Sequence, residues 1–187
     1  MPAPQAKSPA GRSGERRTAD DLRLDATSPW GYAAGVSKKS ATIAARIESC
    51  RGRELDAHYL GYFECFNQGL FYEAHDVLEE LWLADRHGPN GAFYKGLIQL
   101  TGAFVHLQKE RLRPASALLK LARANLETYS SPHEQLDLKC VLELIENFLA
   151  RLEESELSSN PLKTMGRPQL SLLEPNNPVE TASPGSS

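Results

Sequence analysis

Residues 67–82 read NQGLFYEAHDVLEELW, and the fold turns on how this stretch is phased. Leu70, Ala74, Leu78 and Leu81 recur every three or four residues, with Phe71, Val77 and Trp82 beside them. That is the spacing of one helical face, and it predicts a helix over 70–84. Gly69 suits the left-handed residue that ends a helix. A preceding helix is therefore predicted over 54–68, where Leu55, Tyr59, Tyr62, Phe63 and Phe66 form a second stripe. After residue 84 the run DRHGPNG, with its Gly-Pro and Asn-Gly pairs, turns the chain back. Residues 94–106, YKGLIQLTGAFVH, then lie in a predicted helix over 92–109 that is apolar nearly all round. A helix without a polar face belongs in the middle of a bundle.

The flanking sequence supplies the remaining helices. Residues 37–50 place Ile43, Ala44 and Ile47 on one face, with Gly52 as the stop. A fourth good helix starts at Pro114 and aligns Ala115, Leu118, Leu119, Ala122, Leu126 and Tyr129. A fifth is read from SPHE at 131–134 as a capping box, with Leu136, Cys140, Val141, Leu144, Ile145, Phe148 and Leu152 as its stripe. The expected architecture is all-α, a compact antiparallel bundle of five to six helices over residues 37–157. Residues 1–36 and 158–187, rich in Pro, Ser and polar residues, are expected to be disordered tails, with LSLL near Leu170 able to pack back on the bundle.

Composition narrows the function classes. The chain has 187 residues, 41% hydrophobic and 24% charged, with a formal net charge of −3, which suits one soluble domain with tails. No clustered basic face marks a nucleic-acid partner, and no apolar run approaches the roughly 20 residues of a membrane span. The basic N-terminus has no apolar core, so no secretory signal is expected. Cys50, Cys65 and Cys140 form no CxxC pair and are read as buried free thiols in a cytoplasmic protein.

The chemistry-bearing residues sit on the two central helices. His75 and Glu79 are one turn apart on the edge of the core face, and Trp82 continues that edge. Gln99 and His106 lie two turns apart on the next helix, with Gly102 and Ala103 leaving room between them. An antiparallel pairing that sets Glu79 against Gln99 also sets His75 against His106 to within a turn. A cluster of His75, Glu79, Gln99 and His106 is expected, closed by Trp82. Tyr72 could cap it with its hydroxyl, and Glu73, on the far side, could join only if the helix start is irregular.

Two readings satisfy the demand that buried polar groups be paired. In one, the cluster is a hydrogen-bond network that fixes helix register in a non-enzymatic interaction module, its partner a second copy or another protein. In the other, His75, Glu79 and His106 hold a divalent transition metal (Zn, Fe or Mn), with water completing the shell. The metal would then lower the pKa of that water for hydrolysis. The Glu-x-x-His pairs of di-iron bundles and the His-Glu-x-x-His of zincins are absent.

The same residues resemble a known family. FNQGLFYEAHDVLEELW, then GLIQ, then a histidine seven residues beyond Gln99, is similar to the pattern of the domain-of-unknown-function family 309, whose HxxxExxW motif falls here on His75, Glu79 and Trp82. The resemblance spans about residues 55–126. It implies an all-helical fold and a polar cluster suspected of binding metal, with no established activity. Asp76 stands where the family usually has Glu, and Pro114 where it often has Gly; both are read as peripheral to the cluster.

Overall fold

Aromatic residues at helical spacing organise the interior around one ring. The computed structural model describes residues 38–174; the tail expected over residues 1–36 lies outside them, as do residues 175–187. Among the described residues seven α-helices follow in order: α1 Lys38–Ile47, α2 Ala57–Asn67, α3 Phe71–Ala84, α4 Gly91–Gln108, α5 Leu112–Leu126, α6 Leu138–Glu154 and α7 Pro161–Met165. Among the described residues there is no strand, and the all-α expectation holds. No described helix is long and apolar enough to cross a membrane.

Helix α4 is the centre, as its all-round apolarity requires: eleven of its residues are buried. Phe104 projects from it into a nest of rings. Phe66 of α2 meets it edge-on at 5.5 Å, Phe71 of α3 stacks on it at 5.1 Å, and Phe148 of α6 meets it edge-on at 4.9 Å. Helices α4 and α5 run antiparallel and lie close at Gly96, where an added Cβ would lie 2.7 Å from Leu126 Cγ.

Burial forces α4 to satisfy its polar groups locally. The Tyr62 hydroxyl, wholly buried, donates to the Leu97 carbonyl at 3.2 Å. The Thr101 hydroxyl lies 2.9 Å from the same carbonyl and 3.0 Å from the Tyr62 oxygen. Burial pushes the Tyr62 phenol far above its usual pKa, so it stays a donor. At the start of α4 no side chain of the preceding residue caps the helix. Instead the Tyr129 hydroxyl accepts from the Phe93 N–H at 3.1 Å and donates to the Pro89 carbonyl at 2.9 Å.

Three expectations need correction. The SPHE stretch does not start a helix: Glu134 and Gln135 have φ of 47° and 59°, and the Ser131–Pro132 bond is cis. The N-cap of α6 is Asp137, whose carboxylate accepts from the Lys139 N–H at 3.0 Å and from the Ser131 hydroxyl at 2.8 Å. Because the helix starts six residues later, its buried face is Leu138, Val141, Ile145, Phe148, Leu149 and Leu152. Cys140 falls off that face and is exposed, unlike the buried Cys50 and Cys65. Residues 158–174 are also not a loose tail, and the packing back expected near Leu170 is seen. Asn160 caps α7, donates its side-chain amide to the Leu107 carbonyl at 2.7 Å, and the chain then returns to the bundle with Leu170 buried.

The close approach at Gly96 is testable. Ala in place of Gly gains about 1 kcal/mol of helix propensity, but overpacking a closed contact costs about 1–3 kcal/mol. At Gly96 the neighbours are the wholly buried Leu126 and the Ala122 carbonyl, so overpacking wins. At Gly102 the one neighbour is the end of half-buried Leu118 at 3.3 Å, so propensity wins. Denaturant titration should find Gly96→Ala less stable by about 1–2 kcal/mol and Gly102→Ala as stable as wild type or more so.

Candidate metal centre

The turn between α2 and α3 sets the phase of every site residue. Gly69 has φ +76°, its N–H donates to the Phe66 carbonyl at 2.8 Å, and the Leu70 N–H donates to the Cys65 carbonyl at 2.9 Å. This is the Schellman arrangement, which ends α2 and aims the chain into α3 within two residues. Helix α3 then lies antiparallel to α4. Phe71 stacks on Phe104, and the Gln108 side-chain amide donates to the Gly69 carbonyl at 3.1 Å.

On α3 the donor atoms of His75, Asp76 and Glu79 converge, all within 4.8 Å of one another. His75 Nδ1 lies 3.4 Å from Asp76 Oδ1. Their side chains are only 12% and 6% exposed, and Glu79 is half-buried. Glu79 is four residues beyond His75 and three beyond Asp76, the spacings that share a helix surface patch, so one short segment presents an imidazole and two carboxylates together. Asp76, read from sequence as peripheral, is thus a central member. The edge drawn through His75, Glu79 and Trp82 passed over it because neighbouring helical residues point about 100° apart. Its carboxylate nonetheless sits three residues before Glu79, on the same turn.

The other expected members are placed differently. His106 is in the last turn of α4, half-buried, and is not in the converging group. The Phe71–Phe104 and Gly69–Gln108 contacts set it level with the start of α3. His75 is some five residues further on, about 7 Å along the axis at 1.5 Å per residue. The Gln99 side-chain Oε1 accepts from the Asn125 side-chain amide of α5 at 2.8 Å, so Gln99 ties α4 to α5. Glu73 makes an ion pair with Arg46 of α1 at 3.9 Å, and Tyr72 is exposed. Trp82 is half-buried, and its indole N–H is buried without an acceptor among the described residues.

His106 gives this region a pH dependence. Burial, with Arg111 and then Lys109 nearby, holds the imidazole below its ordinary value of 6.5. Between the folded and unfolded values the unfolded chain binds the proton and the folded chain does not. Stability therefore rises with pH through that window and is lost as pH falls below about 6.5. Chemical denaturation between about pH 7.5 and 5.5 should show this decline, and His106→Gln should make the slope shallower.

Comparison with known proteins agrees with the pattern in α2 to α5. The family model described as "Domain of unknown function (DUF309)" matches residues 59–127. No curated protein and no solved structure matches the chain. The matched segment begins at Tyr59 in α2, includes all of α3 and α4, and ends just beyond α5, so it contains His75, Asp76, Glu79, Gln99 and His106. Residues 59–127 of the chain thus match a DUF309 domain.

Proposed function

We propose that the protein binds one divalent transition-metal ion through His75, Asp76 and Glu79, leaving the remaining positions to water. The convergence of these three donor sets carries the reading. Zn–N and Zn–O bonds of about 2.0–2.2 Å place tetrahedral ligand atoms about 3.3–3.5 Å apart. The His75–Asp76 separation of 3.4 Å already matches that edge, and rotation of the longer Glu79 side chain closes the third corner. One imidazole and two carboxylates suit Zn, Fe or Mn and neutralise a dication. Three protein ligands with open positions make the kind of site that lowers the pKa of bound water, so metal-assisted hydrolysis is the reaction class this donor set serves. His106, about a turn away, is outside the ligand set. Free buried thiols at Cys50 and Cys65 accord with a reducing cytoplasm.

A second reading rests on the polar pairs that lock helices without metal. Gln99 with Asn125 and Glu73 with Arg46 each join two helices. In that reading His75 and Asp76 are a polar pair satisfied within α3, and the chain serves as an interaction module.

Elemental analysis and calorimetric titration of Zn²⁺ or Mn²⁺ into full-length protein decide between them. The metal reading expects about one ion per chain, lost in His75→Ala, Asp76→Asn and Glu79→Gln but kept in His106→Gln. The network reading expects no metal in any of them, with His75→Ala less stable by about 1–3 kcal/mol because a buried carboxylate loses its partner.

A further inference from the structure

A helix C-terminus leaves its last carbonyl oxygens without partners inside the helix. At the end of α2 the partners come from a segment a hundred residues later. The Asn67 carbonyl accepts from the Gln169 side chain at 2.9 Å, and the Gln68 carbonyl from Arg167 Nη1 at 2.8 Å. The Asn67 side chain clamps the backbone of Leu170 from both sides: Nδ2 donates to its carbonyl at 2.8 Å, and Oδ1 accepts from its N–H at 2.8 Å. Further along, the Leu173 N–H donates to the Gln135 carbonyl at 2.7 Å, and Leu172 bridges antiparallel to Leu136.

The side chains alternate with period two. Pro168 and Leu170 are buried and Leu172 half-buried, while Arg167, Gln169, Ser171 and Leu173 are exposed. That is an extended peptide with one face in a groove. Its backbone is read by hydrogen bonds and its alternate side chains by pockets, as in recognition by strand addition. Gly69 shapes one wall: besides its φ of +76°, a Cβ there would lie 2.8 Å from Arg167 Nε. The tether is slender. Residues 163–167 are all exposed, and Gly166 has φ +79°, so the anchor at Asn160 and the groove are joined by a surface hinge.

We infer that the end of α2, with the loop before α6, is a peptide-binding groove, and that residues 167–173 are its ligand in cis. The partner it fits is an extended Arg-Pro-x-Leu-x-Leu segment, and the chain that carries one is a second copy of this protein. Exchange of the segment between copies replaces every contact by its equal, so it costs little beyond opening the hinge.

The test uses a labelled peptide of residues 166–174, GRPQLSLLE, titrated into full-length Leu170→Asp, whose own segment no longer fits the groove. Saturable binding is expected, at least about tenfold tighter than to wild type, where the tethered segment competes at high effective concentration. Adding Asn67→Ala should weaken it a further tenfold or so, since two backbone hydrogen bonds are lost. A Leu170→Asp protein that melts cooperatively yet takes no peptide overturns the inference, as does binding indifferent to Asn67. If Leu170→Asp does not fold, hydrogen exchange on wild type decides. Leu170 and Leu173 amides exchanging well ahead of Leu100 and Phe104 support a separable segment; exchange only through global unfolding refutes it.

Discussion

Everything in this fold depends on burying most of α4. A helix with no polar face gains nothing from solvent, so the chain has to surround it, and the Phe104 ring shows how: α2, α3 and α6 each send it one aromatic partner. Such pairs add about 0.5–1.5 kcal/mol each beyond the area they bury, and they fix relative helix positions as aliphatic contacts would not. The fourth side is closed by backbone proximity at Gly96. Total burial also explains the Tyr62–Thr101–Leu97 bonds, because an unsatisfied hydroxyl in that interior would cost about 1–3 kcal/mol.

The register that follows decides what the site can be. With Phe71 on Phe104, His75 falls level with the middle of α4, while His106 falls level with the start of α3. The two histidines therefore belong to different levels of the same helix pair. What converges instead comes from one turn of one helix. A site built on a single rigid element keeps its donor spacing independently of how neighbouring helices shift, which is a sound basis for holding an ion.

How much of this was legible in the sequence follows from the kind of signal each feature carries. The helices were legible wherever apolar residues recur at three and four, and the α2–α3 turn was legible because Gly69 is a glycine where left-handed backbone is needed. Residues 131–137 misled because Ser, Pro and Glu at capping-box spacing are equally the residues of an irregular turn; Asp137, six residues on, carried the real cap. Asp76 was passed over because a face drawn by period cannot say how far a short carboxylate bends toward its neighbour. Gln99 was assigned to α3 because register along one helix pair says nothing of a third helix competing for the same side chain. For the segment after Asn160 the apolar LSLL showed that it could pack back, but not where, because most of its partners are backbone carbonyls and one asparagine side chain, which no sequence pattern displays.

That last interaction links the C-terminal segment of the described chain to the turn before the site. The carbonyl groups bonded by Arg167, Gln169 and Gln108 belong to Gln68, Asn67 and Gly69, the residues that end α2 and start α3. Withdrawing the segment would leave the Asn67 and Gln68 carbonyls to water and remove the guanidinium that covers Gly69. The Schellman bonds would remain, but the turn would lose the contacts that hold it against the rest of the bundle. Because His75 lies six residues beyond Gly69 on a continuous helix, any reorientation of that turn moves the donor set as a unit, without changing the spacing within it.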